Sequence, residues 1–169
     1  MEIRSATPID APALADILNA LLATTTIEWT DTPHSVEDIA RWIEEHEVVL
    51  VGEENGEVVG LAAFGWFRDA VVRPGYRFTV ENSVHVRQPH WGRGLGGQLM
   101  QELIEAARTS GKHAMVAAID ATNEDSIRFH QRLGFTEVGR LPQVGAKFGR
   151  WLDLVLLELR LDQRPEPPA

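Results

Sequence analysis

The sequence predicts a mixed α/β (α+β) domain in which a mostly antiparallel central sheet of about seven strands is flanked by about four helices. Three observations predict it. Residues 80–100 read as a strand that runs through a glycine-rich bend straight into a helix. Just before it, apolar runs at 48–52 and 57–67 are separated by Glu53-Glu54-Asn55-Gly56, a hairpin signal because Asn-Gly supplies positive φ at both turn positions. After it, strands and helices alternate, with Ser110-Gly111 and Gly134 as helix stops.

In order, residues 2–6 form a short opening strand, and Asp10 is placed to cap a helix whose Leu14, Ile17, Leu18, Leu21 and Leu22 share an apolar stripe. The β-branched run Thr24-Thr25-Thr26-Ile27 breaks that helix ahead of Trp29. Ser35 with Asp38 resembles a capping box, opening a second helix through Trp42 and Ile43. The hairpin follows, and a turn at Arg73-Pro74-Gly75 leads into the central strand. There Val80, Val84 and Val86 alternate with Thr79, Glu81, Ser83 and His85, so one side is core and the other faces a cleft. Leu95, Leu99 and Leu103 line the next helix. Residues 113–119 are an apolar strand, Asn123 caps a helix on which Ile127, His130 and Leu133 share a face, and 135–141 and 149–161 are the final strands. Residues 1–162 make one domain, and 163–169 are expected to be a Pro-rich flexible tail.

A chain of 169 residues can bury a core without staples, and 44% hydrophobic with 24% charged residues is ordinary for a globular protein. A net charge of −9 argues against general nucleic-acid binding, which needs a basic face. From 70 to 101, however, Glu81 is the only acid against Arg73, Arg77, Arg87 and Arg93. An anionic small ligand fits that local excess; so does a solvated face. The absence of cysteine excludes disulfides, thiolate metal sites and a cysteine acyl-enzyme. No His/Asp/Glu grouping has metal-ligand spacing, so no metal is expected. The N-terminus lacks an apolar signal core and no run spans a membrane, which makes the cytoplasm the expected compartment.

Gly92, Gly94, Gly96 and Gly97 clear side chains from the bend, and the first N–H groups of the following helix make a site for an anion such as a pyrophosphate. Gly92, Gly94 and Gly97 also satisfy G-x-G-x-x-G, with Asp120 further on. A dinucleotide fold opens on that motif, whereas here it lies mid-chain behind tight-turned strands, with too little chain after Asp120 for a second half. A ligand-free glycine loop is the bland alternative.

The element order, with Trp91-Gly92-Arg93-Gly94-Leu95-Gly96 after the fourth strand and Asn123, Ser126, His130, Gly134 and Phe135 later, resembles the GCN5-related N-acetyltransferase (GNAT) fold. Trp91 stands where that family's signature has Arg or Gln. Thr79-Val80-Glu81-Asn82-Ser83-Val84, Ser126-Ile127-Arg128-Phe129-His130 and Lys147-Phe148-Gly149-Arg150-Trp151-Leu152-Asp153 are similar to the phosphinothricin and methionine sulfoximine N-acetyltransferase branch. The resemblance implies acetyl-CoA as co-substrate, direct transfer in a ternary complex to the α-amine of a small amino acid or analogue, resistance to toxic analogues as a use, and a homodimer. Protein or peptide α-amines are the alternative substrates, and a non-catalytic acyl-CoA sensor is the rival from another class.

An α-ammonium must lose a proton before attacking a thioester, and a carboxylate at the cleft can take it. Glu81 is the candidate from its side of the strand and from the family match; a structural salt bridge to Arg77 or Arg87 is the alternative. The resemblance further implies that a main-chain N–H near Val86 holds the thioester oxygen, that Val84, His85 and Val86 pair with the pantetheine arm, and that Gly92, Arg93, Gly94, Leu95, Gly96 and Gly97 hold the pyrophosphate. Asn123 and Ser126 either cap their helix or touch the pantetheine. His130 stands where many members have a tyrosine that protonates the departing thiolate; the alternative is a packed histidine satisfied by a carbonyl. Arg73 and Arg77 are natural clamps for a substrate carboxylate, with Gly75 and Tyr76 beside them. Lys147 and Trp29 are candidates for the pocket wall or a dimer contact.

Overall fold

The computed structural model describes residues 1–168 and carries one seven-stranded sheet with four α-helices. The strands are β1 (Glu2–Ser5), β2 (Val48–Glu54), β3 (Glu57–Trp66), β4 (Thr79–Val86), β5 (Ala114–Asp120), β6 (Thr136–Lys147) and β7 (Arg150–Arg160). The helices are α1 (Ala11–Leu22), α2 (Val36–Glu45), α3 (Leu95–Thr109) and α4 (Glu124–Arg132). The order across the sheet is β1-β2-β3-β4-β5-β7-β6, antiparallel at every pairing except β4 with β5.

Alternation along β3 divides the molecule into two layers of core. Ala62 and Phe64 pack with Val80 and with Leu99, Met100, Leu103 and Ile104 of α3 on one face, while Leu61 and Ala63 pack against Leu14, Ile17 and Leu18 of α1 and Ile39 and Ile43 of α2 on the other. The Asn-Gly turn is present as expected, with φ of 52° at Asn55 and 80° at Gly56. The Ser35–Asp38 capping box also forms, Ser35 accepting the Asp38 N–H at 3.1 Å. Asp10 works differently from the sequence expectation. Its carboxylate accepts the Thr7 N–H at 2.8 Å and two guanidinium bonds from Arg4, so it closes the turn before α1 instead of capping α1 with its side chain.

The largest departure lies at the end of the chain. β6 runs to Lys147, six residues past the expected stop at Leu141, and meets β7 through a two-residue turn at Phe148 and Gly149 with φ of 51° and 71°. Pro142 and its neighbours read as an end in sequence; in the fold they are a bulge, where the register jumps between Leu141 and Gly145 while pairing with β7 continues. Residues 163–168 take no helix or strand, and the Arg164 guanidinium donates to the Gly111 carbonyl at 2.9 Å. Ala169 lies outside the described residues.

Candidate active site

β4 and β5 pair only through Thr79–Ala114, Val80–Met115 and Glu81–Val116. Beyond Glu81, β4 stays hydrogen-bonded to β3 and β5 to β7, so the two half-sheets diverge and the main chain of residues 82–86 loses its neighbour on one side. The glycine bend sits at the open end of this gap. Gly94 is the N-cap of the fifteen-residue α3 in the left-handed conformation, φ 78°, and Gly92 is left-handed too, φ 74°. Neither has a heavy atom within 4 Å of where a Cβ would stand, nor has Gly97. The space over the helix N-terminus is therefore open to an anion. Arg93 is held by Glu54 at 3.0 Å, which also meets His90 at 3.2 Å. Trp91 donates its indole N–H to the Val86 carbonyl at 2.6 Å, fastening the bend to the end of β4.

Asn82 spans the gap. Its amide donates to His130 Nε2 at 3.2 Å, and its Oδ1 is buried without a partner. The other nitrogen of His130 donates to the Ser126 carbonyl at 2.8 Å, and the ring stands edge-on to Phe129 and Phe135. His130 is 3% exposed, and burial pushes its pKa below the ordinary histidine value. Of the two alternatives for His130, this is the geometry of the packed histidine: a neutral ring whose one N–H is committed to a carbonyl. Asn123 caps α4 by accepting the Ser126 N–H at 3.1 Å.

On the opposite face of β4 a cleft of about 740 Å³ is lined by Glu81, Ser83 and His85, by Leu61, Ala63 and Trp66 of β3, by α2 and by the loop between α1 and α2. Glu81 forms no ion pair or hydrogen bond among the described residues. Arg87 is turned to Glu57 and the Val58 carbonyl, and Arg77 to the Pro74 carbonyl and the Phe78 ring, so neither supplies the structural salt bridge. The Glu81 side chain is exposed to the cleft, and partial shielding by the cleft walls, with no cation to offset it, pushes its pKa above the usual glutamate value. His85, only 8% exposed, is held neutral by burial.

Lys147 is not a cleft wall. Its ammonium is buried and donates to three carbonyls, Leu22 at the end of α1 at 2.8 Å and, in the loop that follows, Thr25 at 2.9 Å and Glu28 at 2.7 Å, which uses all three of its protons. Trp29 packs against β6, where a Cβ on Gly145 would stand 2.0 Å from its ring, and its indole donates to the Thr26 carbonyl. These two residues anchor the loop instead of touching the cleft. Arg73, Gly75, Tyr76 and Arg77 occupy an exposed segment around the short turn Pro74–Tyr76 and do not line the cleft.

The family model described as the acetyltransferase (GNAT) family matches residues 14–135. The chain belongs to the GNAT family. It is 44% identical to the L-methionine sulfoximine/L-methionine sulfone acetyltransferase of Salmonella typhimurium (strain LT2), over 100% of this chain and 99% of the relative. It is 34% identical to the phosphinothricin N-acetyltransferase of Streptomyces viridochromogenes, over 99% and 91%. A solved structure of a putative acetyltransferase, yncA from Salmonella typhimurium with its cofactor acetyl-CoA, superposes with a TM-score of 0.94 at 44% identity, covering 99% of this chain and 98% of that one.

In this GNAT chain, reasoning from sequence missed the far wall of the cleft. Glu28, His34, Arg41, Trp42, Glu45 and His46 reach it from the α1–α2 loop and from α2 and its C-cap, where the sequence carries no catalytic or binding motif, only the Ser35–Asp38 capping box. It also passed over Asn82, which sits on the valine side of β4.

Replacing Lys147 by Met leaves three carbonyls without their donor. The expected cost is at least about 1–3 kcal/mol of stability, read by urea unfolding, with faster proteolytic cleavage within residues 23–34. For His130 the folded pKa lies below that of the unfolded chain. Its contribution is therefore full above the ordinary value of 6.5 and is lost as pH falls through it, because the unfolded state takes the proton first. Thermal melts from pH 7.5 to 5 should show this decline, and His130→Gln should flatten it.

Proposed function

We propose that the protein transfers the acetyl group of acetyl-CoA directly, in a ternary complex, to the α-amine of a small amino acid or analogue of the methionine sulfoximine and phosphinothricin type. The observation that carries this reading is Glu81: an unpaired carboxylate of raised pKa in the wall of a cleft, at the point where β4 parts from β5. The relatives' names agree with it.

The open glycine corner and the partnerless Asn82 Oδ1 fit a long polar coenzyme bearing an anionic group. The N–H groups of Arg93, Leu95, Gly96 and Gly97 would hold its diphosphate, and the main chain of Val84, His85 and Val86 would pair with its extended arm as an added strand would. That coenzyme supplies an activated acetyl thioester. The Val86 N–H is the family's candidate for the thioester oxygen. Glu81 receives the proton of the substrate ammonium, directly or through water, and its raised pKa makes it a stronger base than a fully hydrated glutamate. His130, with its proton held by Ser126, orients Asn82 while the thiolate departs without a protein acid.

A homodimer fits the same reading. Trp151 is 68% exposed, and Phe148, Val144, Val138 and Leu141 lie bare along the β6–β7 hairpin at the sheet edge. If these residues form the dimer contact, Trp151→Glu yields monomers by light scattering while the unsubstituted chain runs at twice that mass.

Glu81→Gln should lower kcat by about 10²–10⁴-fold with the affinity for acetyl-CoA kept. In the unsubstituted enzyme the acid limb of kcat/KM should fall above the ordinary glutamate value, because shielding by the cleft walls raises the Glu81 pKa. Unchanged turnover in the variant would exclude Glu81 as the base.

A further inference from the structure

The corner of the cleft beside Glu81 holds a second hydrogen-bond acceptor. His46 closes α2 as its C-cap, and its ring packs on that of Trp42 with centroids 4.4 Å apart. The Trp42 carbonyl accepts both the His46 main-chain N–H at 3.1 Å and the ring N–H at Nδ1 at 2.9 Å. This bond sets the tautomer, so Nε2 is left as an acceptor, and it has no protein partner among the described residues.

The ring reaches the strand because residue 65 is glycine. A Cβ there would stand 2.9 Å from both Cδ2 and Nε2 of His46, too close for the imidazole to stay. Gly65 of β3 is directly opposite Glu81 of β4. Opposed residues project to one face with Cβ positions about 5 Å apart. The His46 nitrogen and the Glu81 carboxylate therefore share this corner, and both residues line the cleft.

The electrostatics suit an acceptor that is not itself a base. The lining residues of β3, Leu61, Ala63, Gly65 and Trp66, carry no charge; Glu45 is the neighbouring charge on α2, and β4 brings Glu81 and His85. Burial pushes the His46 pKa below the ordinary histidine value, against the opposing pull of the Trp42 carbonyl and Glu45. The ring stays neutral at pH 7, so Nε2 keeps the lone pair that a water O–H can donate to.

We propose that His46 is a positioning residue for the acetyl transfer: its Nε2 and the Glu81 carboxylate hold one water between them, through which the substrate ammonium loses its proton. The water oxygen takes a proton from the ammonium while one of its own protons passes to Glu81, and its other O–H remains donated to Nε2. The electron pair of the broken N–H bond stays on nitrogen as the nucleophile, water is regenerated and His46 is unchanged. This rests on the reading of Glu81 as the base and deepens it, from direct uptake to a relay.

The test measures kcat and KM for methionine sulfoximine at saturating acetyl-CoA, by release of free CoA thiol. His46→Phe keeps the ring volume without its nitrogens; Gly65→Ala leaves the imidazole intact but displaces it, and serves if the first variant does not fold. Near pH 7 each should lower kcat by at least about tenfold with KM little changed. The loss should shrink as pH is raised toward the pKa of the substrate amine, where the substrate arrives without the proton to be removed. In a Glu81→Gln background His46→Phe should cost nothing further, because the two groups act on one water. Unchanged kcat in the variants overturns the role of His46, as does a loss that is constant with pH or that recurs in full beside Glu81→Gln, either of which marks a structural contribution alone. Normal turnover in Glu81→Gln overturns the reading of Glu81 and the relay with it, whereas a slow Glu81→Gln beside a normal His46→Phe overturns the relay alone.

Discussion

The structure turns on the parting of β4 from β5 after Glu81. Each strand stays paired with its other neighbour, β4 with β3 from Val80 to Val86 and β5 with β7 from Ala114 to Asp120, and the two half-sheets separate past the third pair. Main-chain donors and acceptors in mid-sheet without partners are costly unless something supplies them. The gap is made by topology, and the glycine corner, Asn82 and Glu81 all gather at it. Asn82 crosses to His130 on one face while Glu81 enters the cleft on the other, so adjacent residues of one strand serve opposite sides of the sheet.

Charge at this junction is set by burial more than by pairing. Glu81 has no cation paired with it, and partial shielding by the cleft walls raises its pKa; full burial lowers those of His85 and His130. The contrast with Asp10 is instructive. It is the more buried of the two carboxylates, yet Arg4 and the Thr7 N–H hold its carboxyl below the usual range, and its role is to fix a turn. A carboxylate kept basic by its surroundings suits proton uptake; one tied by a guanidinium suits structure.

The loop between α1 and α2 belongs to the cleft only because distant residues put it there. Lys147 reaches back across more than a hundred positions to two of its carbonyls and to that of Leu22 at the end of α1, and Gly145 leaves room for Trp29 to lie on the strand. Local sequence does not make this loop a wall; the end of β6 does.

What could be read from the chain alone was whatever is encoded by near neighbours. The period of two in β4, the Asn55-Gly56 turn, the Ser35 and Asn123 caps and the glycine corner all express short-range sterics and hydrogen bonding, which a sequence displays directly. The family signature lies in those same segments. Tertiary structure decided the rest: that Lys147 and Trp29 anchor instead of contacting the cleft, that Arg73 and Arg77 stay outside it, and that Glu28, His34 and His85 line one cleft. Those outcomes depend on which strands pair and where a bulge lengthens β6, and such long-range register leaves no local trace in the residues it brings together.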